Sequence, residues 1–239
     1  MTRVSETTSE KNERRLNIIG IALIALFIIL GVVVFSGRLQ SSDTTLFYSI
    51  NSAHTLAFDY VMVFLSNYGR ELLWGCIIIL LWFLGGRESK LTAFILVISF
   101  LSLTVLGESL KLLEFRQRPF ETLLDVRLLV RPPTDSSFPS GHALNACAGA
   151  TVAWHRMKKR YSFPLMLESS LVAYSRIYVG VHYPLDVISG SILGIAIACL
   201  ILAQSDKVNA LYDGVLRFGM RFISSSSKNA STSRFKGDS

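Results

Sequence analysis

The run from Leu16 to Phe35 contains no charged residue, and as a helix it is long enough to cross the roughly 30 Å hydrocarbon core of a bilayer. Inside hydrocarbon every backbone N–H and C=O must find its partner within the protein, so a single run of this kind has to be helical. Lys11, Arg14 and Arg15 precede it, which by the positive-inside rule places the N-terminus in the cytoplasm. The run is longer than the apolar region of a signal peptide and no small-residue cleavage site follows Phe35, so a retained span is expected. The rest of the chain agrees: 51% of its 239 residues are hydrophobic, 17% are charged and the mean hydropathy is +0.45. That is well outside the range of soluble domains. The fold class expected is all-α, an integral membrane bundle of about six transmembrane helices.

Further segments follow from the same criteria. Arg38 to Arg70 mixes polar residues with Leu46, Phe47, Ile50, Leu56, Phe58 and Val61, and reads as interfacial amphipathic helices between the first and second spans. Leu72–Gly86 and Leu91 to about Leu113 read as a helical hairpin joined by the turn Arg87 to Lys90. A polar loop runs from Phe115 to Phe138, and three more spans are expected over Ser140–Trp154, Tyr161–Tyr178 and Pro184–Ala203. The domain division is a cytoplasmic N-terminus (1–15), a transmembrane domain (16–206) and a serine- and lysine-rich, partly disordered cytoplasmic tail (207–239). With the N-terminus inside, the turn Arg87–Lys90, the cluster Arg156, Lys158, Lys159 and Arg160, and the tail all fall on the cytoplasmic side. Asn229-Ala230-Ser231 would then be an inert glycosylation acceptor.

Several classes of function are excluded. The net charge of +7 arises from basic residues scattered between apolar runs, not from a continuous stripe, so no nucleic-acid partner is expected. Cys76, Cys147 and Cys199 lie within apolar runs without ligand spacing, which argues against a disulfide framework or a zinc site.

Three polar clusters remain, and the topology brings all three to the side opposite the basic turns. Lys111 and Arg118 would lie two turns apart on nearly one face if the third helix continued, a point charge and a planar fork for one anion. Pro139-Ser140-Gly141-His142 opens an apolar helix, whose N-terminal N–H groups near Ser140 and Gly141 suit phosphate oxygens. His142 beside that phosphate can protonate a departing oxygen. Arg176 closes the fifth helix, while His182 and Asp186 stand four apart at the start of the sixth, where the carboxylate can accept one ring N–H and leave the other nitrogen basic. An imidazole held this way can attack phosphorus. Glu108 is one turn before Lys111 and is placed to pair with it. Arg116, Arg127 and Arg131 read as a solvated loop face that attracts anionic head groups, and His54 and His155 as non-catalytic. Trp154, Tyr178 and Tyr183 read as interface belt or core.

Lysine, six residues, arginine-proline; proline-serine-glycine-histidine; then serine-arginine, five residues, histidine, three residues, aspartate: this order resembles the signature of the type 2 phosphatidic acid phosphatase (PAP2) superfamily. Lys111–Pro119, Pro139–His142 and Ser175–Asp186 match it at every motif position. The resemblance implies a phosphohistidine mechanism with His182 as nucleophile, Asp186 orienting it and His142 as acid. It implies that Lys111, Arg118, Ser140, Gly141 and Arg176 bind phosphate, with no metal and no other cofactor. The expected substrate is a lipid phosphate or diphosphate presented by the surrounding membrane lipids, best a polyprenyl diphosphate of the undecaprenyl or dolichyl type. Phosphatidic acid and phosphatidylglycerol phosphate are alternatives, and a non-catalytic lipid-phosphate binder or transporter is the alternative of another class. Soluble vanadate-dependent haloperoxidases share the signature, but the apolar spans argue against them. The site is expected on the extracytoplasmic face of the plasma membrane.

Overall fold

The uncharged run forms the core of α1 (Thr8–Phe35) in the computed structural model, which describes residues 8–53, 55–113 and 115–218. Leu16, Gly20, Phe27 and Val34 form its one buried stripe, whereas Ile18, Ile21, Ile28, Ile29 and Val32 are exposed. Aliphatic exposure on this scale suits acyl chains and would be an aggregation hazard in water. The remaining helices are α2 (Gln40–Asn51), α3 (Leu56–Phe64), a π-helical segment (Leu65–Leu73), α4 (Trp74–Leu84), α5 (Arg87–Leu113), the single turn α6 (Pro119–Thr122), α7 (Gly141–Arg156), α8 (Lys159–Tyr178) and α9 (Pro184–Leu202). Among the described residues there is no strand.

Four helices are long and apolar enough to cross a membrane: Thr8–Phe35, Leu56–Leu84, Arg87–Leu113 and Pro184–Leu202. The molecule is an all-helical membrane protein, and two details of the expected topology change. First, Leu56 to Arg70 does not form a separate interfacial helix; it joins Leu72 onward in one 29-residue helix, and α2 alone occupies the stretch between the first two long helices. Part of its polar face turns inward and not to water: Ser66 is buried and accepts hydrogen bonds from Arg176, and beside it Gly69 abuts Val172. Second, Arg87–Lys90 is the first turn of α5, and Gly85–Gly86 makes the reversal. Of the expected spans, α7 is only 16 residues long and α8 carries Glu168 and Arg176; neither is among the four.

The centre of the bundle is α7, packed against α8, α9 and α5, with α1 laid along α9. Alanine and glycine dominate α7, which lets its neighbours approach closely. Gly190 and Gly194 on α9 are four apart: a Cβ at Gly190 would stand 2.5 Å from the Ser140 carbonyl, and one at Gly194 2.0 Å from that of Leu144. At the end bearing the basic turns, Arg156 Nη2 meets Glu88 Oε2 at 2.9 Å. At the other end the long loop between α6 and α7 is pinned by Asn51, whose Nδ2 donates to the carbonyls of Arg127 and Tyr178 and whose Oδ1 accepts from Arg127 N.

The chain falls into two compact units, Met1–Ala203 and Gln204–Ser239, and in the second unit residues 205–218 are helical, including the first part of the expected tail. His54, the acceptor Asn229-Ala230-Ser231, the serine-rich part of the tail and the first seven residues lie outside the described residues.

Gly194→Ala forces its methyl group into backbone and is expected to destabilise the bundle by about 1–3 kcal/mol. Gly75→Ala meets nothing within 4 Å and should be neutral or slightly stabilising. Thermal unfolding of the two variants in detergent checks the contrast.

Candidate active site

His182 lies in the turn between α8 and α9, which Gly180 makes possible at φ +88°, a conformation costly for any residue with a Cβ. The ring is buried. Its Nδ1 is 2.8 Å from the Ser137 carbonyl, and since a carbonyl only accepts, Nδ1 carries the proton. Nε2 is therefore the basic nitrogen, and it lies 3.3 Å from Arg118 Nη1. Burial, reinforced by the charges of Arg118 and Arg176 and opposed by Asp186, pushes the imidazole down to about 4, so it is neutral near pH 7.

Asp186 stands one step further back than its spacing suggests. Oδ2 is 3.8 Å from His182 Nδ1, beyond hydrogen-bond reach, and instead accepts from Ser137 Oγ at 2.5 Å and from Tyr183 N at 2.9 Å. The carboxylate thus holds Ser137, and the Ser137 carbonyl holds the imidazole. Oδ1 pairs with Arg116, which also meets Asp43 Oδ2 at 2.7 Å and lies 4.2 Å from the Tyr183 ring centre. Both aspartate side chains are fully buried, and Arg116 is 10% exposed. Burial pushes the Asp43 carboxyl up despite Arg116; burial opposes the Arg116 charge as well, but the two carboxylates outweigh it and hold the guanidinium above its ordinary value.

Lys111 and Arg118 do not share a helix face. Helix α5 ends at Leu113 and Arg118 is in extended backbone before α6. They converge on Asp135, which pairs with Lys111 Nζ and, at 2.7 Å, with Arg118 Nη2. Burial disfavours the Asp135 charge, but Lys111 and Arg118 overcome it and hold the carboxyl down at about 2. Lys111 also meets Glu108 at 3.2 Å. Arg118 is almost fully buried and is fixed by the carbonyls of Asp135 and Val181.

Ser140 and Gly141 open α7. The Ser140 N–H is not available to a ligand because it donates to the Asp186 carbonyl at 3.0 Å. Its Oγ makes no cap bond and is buried without a partner, as is Nε of Arg176, whose Nη1 is anchored on Ser66. An orphaned hydroxyl at the N-terminus of α7 and an orphaned guanidinium N–H are groups that phosphate oxygens can satisfy. His142, the second residue of α7, is half-buried, and Arg176, Arg70 and Lys111 are the cations that act on it. All three polar segments therefore meet at one end of the bundle.

Sequence reasoning missed Asp43, Asp135, Ser136 and Ser137, and placed Arg116 and Arg127 on a solvated face. Arg127 instead pairs with Asp59 at 2.7 Å; Arg131 alone of the three loop arginines is exposed. Tyr178 and Tyr183 are core, while Trp154 is partly exposed under Lys159. The only local hint was the density of polar residues from Asp135 to Ser137, directly before the proline-serine-glycine-histidine motif. Among the described residues no three His, Cys, Asp or Glu side chains form a group that could hold a metal.

Membrane-crossing helices with cations gathered at the N-terminus of a buried one define a membrane protein built to handle a phosphate group. The chain belongs to the PAP2 superfamily, and with it to the phosphatases: residues 92–210 match the superfamily. An undecaprenyl-diphosphatase of Sulfolobus acidocaldarius is 41% identical over 72% of this chain and 84% of its own length. The undecaprenyl-diphosphatase BcrC of Bacillus subtilis is 29% identical over 77% of this chain and 94% of its own. The crystal structure of a transmembrane PAP2-type phosphatidylglycerolphosphate phosphatase from Bacillus subtilis superposes with a TM-score of 0.67 at 25% identity, over 79% of this chain and 96% of that one.

Arg116→Met leaves two buried carboxylates without their cation and is expected to cost about 3–5 kcal/mol in detergent unfolding. The neutral His182 predicts a second outcome. Protonating Nε2 removes its lone pair, so kcat/KM should fall as pH drops through about 4 rather than through the ordinary 6.5. The stability that depends on a neutral ring is complete above 6.5 and is lost as pH falls toward 4. A pH–rate profile with a soluble phosphate substrate reads the acid limb.

Proposed function

We propose that this protein hydrolyses a polyprenyl diphosphate of the undecaprenyl type to the monophosphate and orthophosphate, through a phosphohistidine, at the extracytoplasmic face of the plasma membrane. The observation that carries it is the buried, neutral His182 with Nε2 beside Arg118, together with the unpartnered Ser140 Oγ and Arg176 Nε. Pure binding needs the cations but gains nothing from a nucleophile held in one tautomer. The names of the two undecaprenyl-diphosphatase relatives favour the diphosphate lipid. The phosphatidylglycerolphosphate phosphatase neighbour supports a second reading, in which the substrate is that phospholipid.

The terminal phosphate exchanges for the Asp135 carboxylate on Lys111 and Arg118 and meets Ser140 Oγ, the Gly141 N–H and Arg176. His182 Nε2 attacks phosphorus as the bond to the bridging oxygen breaks, and His142 gives that oxygen its proton. These cations stabilise the charge that spreads over the equatorial oxygens. Water then attacks the phosphohistidine, His142 takes its proton back, and orthophosphate leaves with His182 restored. Asp186 acts as a positioning residue, through Ser137. The orientation follows from the basic residues before α1 and at the Arg156–Glu88 end, which the positive-inside rule assigns to the cytoplasm along with residues 1–15 and 207–239.

Phosphate release from undecaprenyl diphosphate, phosphatidic acid and phosphatidylglycerol phosphate ranks the substrates, with the diphosphate expected first. His182→Ala should lose about 10³-fold or more and all acid-labile labelled intermediate. Full release by that variant would remove the nucleophile from the scheme.

A further inference from the structure

Arg70 belongs to none of the three motif segments, yet it reaches the site. It lies inside the second long helix, in the π-helical segment Leu65–Leu73. A cation within a membrane-crossing helix is costly, and π-helical turns concentrate at functional sites because they re-aim side chains. Nε and Nη2 of Arg70 both bind Glu71 Oε1, the former at 2.6 Å. That edge is fixed, and the other points inward: a methyl group on Gly141 would stand 3.7 Å from Arg70 Nη1 and 3.9 Å from Lys111 Nζ. The two cations thus flank the space over the first residue of α7. The Arg70 side chain is 30% exposed.

The cations are also placed differently about the two histidines. Arg118 Nη1 is 3.3 Å from His182 Nε2, whereas Arg70 Nη1 stands over Gly141, the residue directly before His142. Arg118 therefore serves the side of the nucleophile, where the transferred phosphoryl group sits. Arg70 serves the side of the acid, where the leaving group sits. In a monophosphate ester the leaving group is an alcohol with no charge of its own. In a diphosphate it is a lipid phosphate, and its negative charge grows as the bridging P–O bond breaks.

We propose that Arg70 is a specificity-determining residue that binds the phosphate retained on the lipid, so that the enzyme prefers diphosphates to monophosphates carrying the same tail. This rests on the diphosphate reading above. During the step the His182 Nε2–P bond forms, the bridging P–O bond breaks, His142 protonates that oxygen, and Arg70 holds the departing phosphate throughout.

The test uses full-length purified protein with farnesyl diphosphate and farnesyl monophosphate. Arg70→Gln should lower kcat/KM about 10–100-fold for the diphosphate, the worth of a hydrogen-bonded charge, and less than about 3-fold for the monophosphate. Arg70→Lys keeps the charge but loses the fork, and should show a smaller loss in the same direction, about 3–10-fold, should the glutamine variant not fold. Inhibition by methylenediphosphonate should weaken in Arg70→Gln, while inhibition by orthophosphate should not. Equal losses on both substrates, or an unchanged substrate ratio in both variants, would overturn the role of Arg70 while leaving the diphosphate reading intact. A wild-type enzyme that cleaves the monophosphate but not the diphosphate would overturn that reading, and the role of Arg70 with it.

Discussion

Asp186 ties the three polar segments of this protein together. Its side chain accepts from Ser137 and Tyr183 and pairs with Arg116, and its backbone carbonyl accepts from Ser140. The loop before α7, the start of α7 and the start of α9 are thereby fixed to one residue. A buried carboxylate is tolerated only when its lone pairs are met, and here four groups from three parts of the chain meet those of one residue. The imidazole of His182 is held at second hand, through the Ser137 carbonyl. The tautomer then follows from a backbone oxygen, which cannot change its protonation state.

Such a network needs rigid helices around it, and small residues supply them. Gly190 lets α9 press onto Ser140, and Gly194 lets it press onto Leu144, so the helix that presents Asp186 lies directly against the helix that presents His142. The π-helical segment performs the corresponding task from the other side, with Ser66 anchoring Arg176 and Arg70 reaching toward Gly141. A buried polar residue such as Ser66 is acceptable within a membrane-crossing helix because it faces protein rather than lipid.

The motif residues were legible because their chemistry is unusual in an apolar chain: a histidine after proline-serine-glycine, or a histidine four residues before an aspartate, stands out against leucine and isoleucine. The partners were not. Asp43 is 143 residues from Asp186, and Asp135 is 24 from Lys111; nothing in local spacing announces either meeting. Arg116 read as a surface charge because its carboxylates are remote in sequence. The stretch from Leu56 to Arg70 read as interfacial because amphipathic patterning alone does not say whether a polar face meets water or a protein core.

The sequence by itself determined that the chain is helical, crosses a membrane and carries a phosphate site, since hydrocarbon permits little else for such apolar runs and few residue sets serve that chemistry. Tertiary structure alone decided how the site is assembled: that Ser137 rather than Asp186 touches the imidazole, that Ser140 gives its N–H to the protein and keeps its hydroxyl unpartnered, that Asp135 joins Lys111 to Arg118, and that Arg70 stands beside them. The reason is distance. Hydrogen bonds and ion pairs act over a few ångströms, and only packing brings groups separated by tens of residues to within that range.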